Sequence, residues 1–221
     1  MLSKKGIPYI DFKYPGIEIK VELLVLRNYL PQIEVGIQAS CKSYINKELE
    51  DHTEVDPLEY QHIYTIAEDE MPRIIRSPFV VTIYALFENA IAQLIEYSRE
   101  KECKVLTIKE INGRTPMSKY NKYMKHVLNY DFQFNTSDMN KIATIAKIRN
   151  YIAHSNGNLP KQNEDILDSL EKVCKVVKGV SVEGYTLDIN SSFLIYAMEV
   201  IESILRKLMA YMEERYGFAK A

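Results

Sequence analysis

The side chains with the clearest chemical potential lie in the stretch R-N-Y-I-A-H, which runs from Arg149 to His154. An arginine guanidinium can hold a phosphate through a forked pair of N–H donors, and a histidine can move a proton near neutral pH. Asn150 adds a carboxamide beside them. Metal-free cleavage of RNA needs these two functions, a phosphate ligand and a proton carrier.

The spacing of the arginine and the histidine is weak evidence for this chemistry, because eight arginines and four histidines produce such pairs by chance. The position of the residues on the predicted helix is stronger evidence. Asn150 and His154 stand four residues apart and therefore share one face of a helix. The long stem of Arg149 can bring its guanidinium to the same side. The trio lies in the predicted last turn of a helix that stops at Asn156-Gly157, beside an open loop. A histidine there also has a structural explanation, since its charged form suits the helix dipole.

The segment from Arg114 to His154 is basic and rich in tyrosine. It holds seven lysines and arginines against two aspartates, in a chain of net charge −2 and pI about 6.1. Basic residues interleaved with aromatic rings are typical of surfaces that bind single-stranded nucleic acid. The alternative is that the lysines only form the solvated face of an amphipathic helix. The residues that we expect to contact RNA are Lys119, Lys122, Tyr123, Lys125, Lys147 and Tyr151.

The hydrophobic pattern predicts an all-α helical bundle with one minor β-hairpin near residues 180–187. Apolar residues make up 47% of the 221, which is enough for the core of a single domain over residues 1–221. We predict an irregular arm over residues 1–20. The predicted helices cover about 22–50 (kinked or restarted at Pro31), 56–72, 115–129, 136–156, 163–178 and 190–215, and a further helix starts at 77 and includes 79–95.

Capping signals define several of these helix starts. Asp56-Pro57, Ser77-Pro78 and Thr115-Pro116 each place a capping residue before a first-turn proline. The helix after Ser77 is apolar around most of its circumference, which predicts a central position, and Glu88 is its charged exception. The other predicted caps are Thr136 or Ser137, and Asn190 or Ser191.

Cysteine usage and the N-terminus indicate a soluble, cytoplasmic protein. The three cysteines (Cys41, Cys103 and Cys174) form no disulfide framework, and we expect them to be small buried hydrophobic residues. No apolar leader is present, and apolar runs such as 79–87 are too short to span a bilayer. The histidines lack paired ligand spacing, so we predict no metal site and no cofactor, and we disfavour a metal hydrolase.

The R-N-Y-I-A-H stretch resembles the Arg-x4–6-His signature of HEPN domains, including the polar residue that often follows the arginine. The Y-A-L-F-E-N segment, with its internal Glu88, is also similar to HEPN proteins. The likeness is closest to stand-alone ribonuclease-type members of bacterial defence and toxin systems. It covers residues 77–215, is strongest at 79–95 and 142–157, and does not extend to residues 1–76.

The resemblance implies a single HEPN-like domain that acts as a homodimeric, metal-independent endoribonuclease and leaves a 2′,3′-cyclic phosphate. His154 would be the general acid or base, Arg149 would stabilise charge on the phosphorane, and Asn150 would orient the histidine or the phosphate. Glu88 would hold Arg149 in place. RNA would be the substrate, and a cognate antitoxin protein would be a further partner. The alternative is a non-catalytic HEPN-like module that dimerises and binds a nucleotide or a protein.

Overall fold

The computed structural model describes residues 11–51, 56–159 and 164–218, and these are mostly helical, with one two-stranded antiparallel sheet. The predicted all-α helical bundle with a minor hairpin is therefore confirmed. The elements are α1 (Gly16–Asp51), α2 (Pro57–Thr65), a π-helical segment (Ile66–Glu70), α3 (Met71–Lys101), a 3-10 turn (Ile108–Glu110), α4 (Pro116–His126), α5 (Thr136–Ser155), α6 (Glu164–Val176), β1 (Val180–Glu183), β2 (Thr186–Ile189) and α7 (Ser191–Tyr216).

The chain divides into two compact units. Unit 1 comprises Met1–Leu23, Leu86–Ile142 and Val200–Ala221, and unit 2 comprises Leu24–Ala85 and Ala143–Glu199. The four longest helices, α1, α3, α5 and α7, contribute residues to both units. The single domain expected over residues 1–221 stays a prediction.

The core of unit 1 is built from the stripes that face inwards on α3, α4 and α7. On α3, Phe87, Ile91 and Leu94 recur at steps of four and three residues and are almost fully buried. This spacing keeps them on one face of the helix. A buried hydroxyl pair is satisfied within the same core, because Tyr130 donates to Ser98 Oγ at 2.6 Å.

The core of unit 2 contains buried side chains of α1, α5 and the hairpin. Ile145, Ile148 and Ile152 form the predicted apolar stripe of α5 and are buried. In the hairpin, Val180 pairs with Ile189 and Val182 with Leu187. Gly184, with φ of 59°, opens the turn, and the strands extend to residue 189, slightly beyond the predicted range.

The helix boundaries predicted at Pro72 and at Ser77-Pro78 are wrong, because the chain is helical without interruption from Pro57 to Lys101. Immediately before Pro72, in the π-helical segment, the Met71 N–H bonds to a carbonyl five residues earlier. A wider turn relieves the clash between a proline ring and the carbonyl four residues before it. Ser77 is buried inside α3 and begins no helix.

This uninterrupted stretch also changes the assessment of membrane-spanning potential. By length and composition alone, an 18-residue window between Pro57 and Lys101 is apolar enough to cross a membrane. The apolar run is longer than expected because the two prolines do not end the helix. Core helices of soluble proteins have the same property, and 44% of this window is buried.

The N-terminal part of the chain departs from its prediction in two places. The irregular arm expected over residues 1–20 gives way to helix at Gly16, while residues 1–10 lie outside the described ranges. Pro31 lies inside α1, which continues through it without restarting.

The cap of α5 is Asn135, whereas Thr136 or Ser137 was expected. Its Oδ1 accepts from the Asp138 N–H at 2.8 Å, and helix begins at the next residue. The remaining predicted caps are confirmed by hydrogen bonds to backbone N–H groups, at Asp56, Thr115 and Asn190.

The expectation that the cysteines are buried is wrong for Cys103. This residue is exposed in the turn after α3, where its φ is 51°. Cys41 and Cys174 are half-buried, and burial raises the pKa of each thiol.

Asp11 in unit 1 is an anchor for the chain just before α1. Its Oδ2 accepts from Lys101 Nζ at 2.7 Å and from the Tyr97 hydroxyl at 2.8 Å, and its Oδ1 accepts from the Lys13 N–H at 3.0 Å. The Lys101 ammonium, the Tyr97 hydroxyl and the Lys13 amide lower the pKa of Asp11 from 3.8 to about 2. Because the pKa is lower in the folded state, the ionised carboxylate stabilises the fold above pH 4. This stabilisation disappears as the pH falls to about 2.

Replacing Asn135 by Ala should lower the free energy of unfolding by about 1 kcal/mol, because α5 loses its capping acceptor. Urea denaturation of the purified protein measures this change. Ser137→Ala is the matched control and should cost less than about 0.5 kcal/mol. Equal losses in the two variants would contradict the assignment of Asn135 as the cap.

Asp11→Asn should be less stable than the wild type at neutral pH, and the difference should shrink as the pH falls from about 4 to about 2. Urea denaturation at a series of pH values measures this difference. Asp168→Asn, which removes an exposed carboxylate on α6, should show little difference at any pH. A gap for Asp11→Asn that stays constant down to about pH 2 would show that its ionisation does not stabilise the fold.

Candidate functional site

The residues with predicted chemistry lie in the last two turns of α5, in unit 2. The helix ends at Ser155, and Asn156 and Gly157 follow with φ of 51° and 79°. Glycine adopts such a conformation easily, so the predicted stop at this pair is confirmed. We call Arg149, Asn150 and His154 the Arg–Asn–His site.

Arg149 is half-buried, and two neighbours hold its guanidinium. The guanidinium carbon lies 4.4 Å from the centre of the Tyr84 ring on α3, a favourable cation–π contact. Nη1 donates to Asn150 Oδ1 at 3.0 Å. The arginine and the carboxamide therefore meet as the sequence predicted.

Asn150 and His154 are both exposed. The carbonyl oxygen of Asn150 accepts from Arg149, which leaves the amide nitrogen able to donate to a ligand. His154 stands one turn later, about 6 Å further along the helix axis. Its imidazole makes no hydrogen bond to any residue that the structure describes. The site thus presents a fixed guanidinium, an amide donor and an accessible imidazole.

Arg73 on α3 is a neighbour of the site that the sequence reading missed. Its Nη1 donates to the Asn156 carbonyl at 3.2 Å, just beyond the end of α5, and its Nη2 pairs with Glu70 at 2.5 Å. A cation at the C-terminus of a helix is favourable because the dipole is negative there. Its Nε is buried and has no hydrogen-bond partner within the described ranges.

The hairpin fixes the loop that follows the site. The Leu187 N–H donates to the Gly157 carbonyl at 2.8 Å, and the Leu159 N–H donates to the Tyr185 carbonyl at 2.7 Å. These bonds form one isolated antiparallel bridge between Asn158 in the loop and Thr186 in β2. The β-decoration therefore anchors the C-terminal end of α5.

Glu88, the predicted support for Arg149, is half-buried on α3 and belongs to unit 1. Its neighbour there is Tyr120, whose pKa is raised by burial and, to a smaller degree, by the Glu88 charge. Arg149 belongs to unit 2. The role of Glu88 stays a prediction.

The lysines and the tyrosine of α4 do not form a uniform RNA-facing surface. Tyr123 is fully buried and donates its hydroxyl to the Leu106 carbonyl at 2.6 Å, so its ring cannot stack on a base. The expectation that it contacts RNA is corrected accordingly. Lys122 donates to the Asn112 carbonyl at 3.0 Å, Lys125 is exposed, and Lys119 is half-buried beside a cleft.

Lys147 and Tyr151, the two RNA contacts expected on α5, are both half-buried. Lys147 Nζ contacts Ser169 Oγ on α6. Burial, and then the nearby charge of Lys172, lower the pKa of Lys147. This lysine is therefore held against α6 rather than extended into solvent.

Comparison with known proteins assigns no family to this fold and site. No protein-family model, no curated protein and no solved structure matches the chain. Among the described residues, no group of three or more His, Cys, Asp or Glu side chains is placed to hold a metal ion.

The contact between Arg149 and Tyr84 should be measurable as a coupling energy. In a double-mutant cycle of Tyr84→Leu and Arg149→Met, we expect a coupling of about 0.5–2 kcal/mol in the free energy of unfolding. Tyr84→Phe keeps the ring face and serves as the control that preserves the coupling. A cycle that closes to within about 0.3 kcal/mol would mean that the contact contributes nothing.

Proposed function

We propose that this protein is a metal-independent endoribonuclease of the HEPN type that cleaves RNA to a 2′,3′-cyclic phosphate. The observation that carries the proposal is the Arg149 guanidinium, held by Tyr84 and Asn150 on the same helix end as the exposed His154. The combination provides a phosphate ligand that is already oriented and a proton carrier that solvent and substrate can reach.

The proposed reaction is an internal transfer at a phosphodiester of RNA. The 2′-oxygen attacks the adjacent phosphorus, and the bond from phosphorus to the 5′-oxygen of the next nucleotide breaks. A neutral imidazole removes the proton of the 2′-hydroxyl, and a protonated imidazole gives a proton to the departing 5′-oxygen. Two copies of His154 in a homodimer would supply both, and general acid–base catalysis contributes about 10²–10⁴-fold.

Arg149 and Asn150 would act on the phosphate itself. Negative charge builds on the non-bridging oxygens as the pentavalent phosphorane forms, and donors that are already in place stabilise this charge without reorganisation. The cation–π contact occupies the face of the guanidinium, and Asn150 can donate to a phosphate oxygen through its amide nitrogen. Both roles depend on the orientation of Arg149.

The biological setting is part of the same proposal. A homodimer would bring two Arg–Asn–His sites to one two-fold cleft, and a toxin–antitoxin or phage-defence role would place the protein in the cytoplasm. Such a ribonuclease would need a cognate antitoxin protein, or an activation signal, to spare the RNA of its own cell.

A second candidate is a non-catalytic HEPN-like module that dimerises or binds a nucleotide or a partner protein. The exposed face of α1 favours this function. It carries apolar side chains that are each more than half exposed, which is unusual for a surface without a partner. They are Ile17, Val21, Leu24, Val25, Tyr29 and Val35.

The deciding experiment incubates total RNA with the wild type, His154→Ala or Arg149→Ala in the presence of EDTA and identifies the ends that form. We expect the wild type to leave cyclic-phosphate ends. Each variant should cleave RNA at least about 10²-fold more slowly than the wild type. His126→Ala and Arg206→Ala, which remove an exposed histidine and an exposed arginine elsewhere, are the matched controls.

Light scattering of the same samples reports the oligomeric state. Cleavage that persists in both Arg149→Ala and His154→Ala would refute the assigned site. A wild-type protein that dimerises and leaves RNA intact would support the non-catalytic module instead.

A further inference from the structure

A cleft of about 420 Å³ lies in unit 1, between the 3-10 turn and the start of α4. Its lining includes three basic side chains, Lys109, Arg114 and Lys119, together with the ring of Tyr120, and no carboxylate. Ligand pockets usually measure about 300–1,000 Å³, so the cleft is large enough for about one nucleotide.

Two of the three cations have no partner among the residues that the structure describes. Arg114 is exposed and Lys119 is half-buried, and neither side chain forms an ion pair or hydrogen bond with a residue in the described ranges. The positive charge of Lys109 lowers the pKa of Glu96, although Arg99 is the larger cause of that shift. A half-buried ammonium without a counterion favours an anionic ligand, because its charge is only partly solvated.

The carboxylate of Glu110, in the 3-10 turn beside the cleft, is engaged in local hydrogen bonds. Glu110 accepts from the Thr107 N–H at 2.7 Å and from the Thr107 hydroxyl at 2.9 Å, and these hydrogen bonds lower the pKa of Glu110. Its negative charge is therefore used in a local cap, and the lining of the cleft remains cationic.

The loop that forms the cleft is held against α4. Lys122 donates to the Asn112 carbonyl at 3.0 Å. A side chain at Gly113 would place its Cβ 2.9 Å from Ser118 Oγ and 3.0 Å from the Lys119 nitrogen, so the absence of a side chain there lets the loop lie close to α4. The walls are thus formed before any ligand binds.

Tyr120 supplies a flat wall beside these charges. It is half-buried and lines the cleft, and an aromatic side chain at such a position is the group on which an unstacked base packs. The first turn of α4 is capped internally, since Ser118 N–H donates to Thr115 Oγ1. Attraction for an anion therefore comes from the side chains rather than from the helix end.

We propose that this cleft binds a single-stranded segment of RNA, with phosphates on Lys109, Arg114 and Lys119 and a base against Tyr120. The inference rests on the proposed function, for which it names a second contact with the substrate, away from the cleaved bond. In unit 1, the cleft therefore takes the place of the α4 lysines Lys119, Lys122 and Lys125 as the proposed contact with RNA. Only Lys119 belongs to both sets.

Binding is measured by fluorescence anisotropy with a labelled single-stranded RNA of about 12 nucleotides, a length within the usual site sizes. His154→Ala is the parent protein, so that the probe stays intact. The test variant also carries Lys109→Ala, Arg114→Ala and Lys119→Ala. The charge-matched control instead carries Lys42→Ala, Lys47→Ala and Lys141→Ala, which remove three exposed lysines outside the cleft.

The test variant should bind at least about tenfold more weakly at low salt, and its plot of log affinity against log salt should be shallower by about 2 units. Tyr120→Leu should weaken binding about tenfold at an unchanged slope, because it removes stacking and no charge. The control should match the parent in both quantities. Thermal unfolding of each variant checks that the fold is retained.

The outcomes separate this inference from the proposed ribonuclease activity. If the wild type cleaves RNA but the test variant binds like its parent, the cleft is refuted while the activity stands. If the wild type cleaves nothing but binding depends on the three cations, the activity is refuted and the RNA site stands. Absence of RNA binding by the parent, or equal losses in the test and control variants, would overturn the cleft.

Discussion

The uninterrupted helical stretch from Pro57 to Lys101 is the constraint on which both units depend. It supplies Ile83 to the core of unit 2 and Ile91 and Leu94 to the core of unit 1. A proline inside a helix costs about 3 kcal/mol, whereas each large apolar side chain that becomes fully buried contributes about 1.5–3 kcal/mol. Because many such side chains lie on this stretch, burial outweighs the two prolines. The π-helical segment before Pro72 reduces the local cost further.

The same balance explains which helix ends could be read from the sequence. Asp56, Thr115 and Asn156 lie at the surface, where local hydrogen bonds and backbone preferences decide the outcome. Ser77-Pro78 carries an equally clear local signal, but the residues around it are needed in a core. No capping rule contains that information, because it depends on which segments pack together.

The contact between Arg149 and Asn150 could be expected from the sequence because the two residues are neighbours on one helix. Tyr84 and Arg73 could not be placed in this way, since their contacts with Arg149 and Asn156 arise only from the packing of α3 against α5 within unit 2. Tyr123 failed for a different reason. Tyr123 follows Lys122 by one residue, about 100° around the helix, so its ring lies in the core while Lys122 is exposed.

The hydrogen bonds between the hairpin and the loop after α5 bear on the entropy of any reaction at His154. The final turn of a helix ordinarily frays, since its last carbonyls lack partners within the helix. Here backbone hydrogen bonds to Leu187 and Tyr185 hold the residues just beyond that turn, and Arg73 donates a hydrogen bond to the Asn156 carbonyl. The imidazole can then rotate about its own side-chain bonds while its Cα stays in place. If His154 carries a proton as proposed, much of the entropic cost of positioning its backbone is met during folding, by a hairpin outside the Arg–Asn–His site.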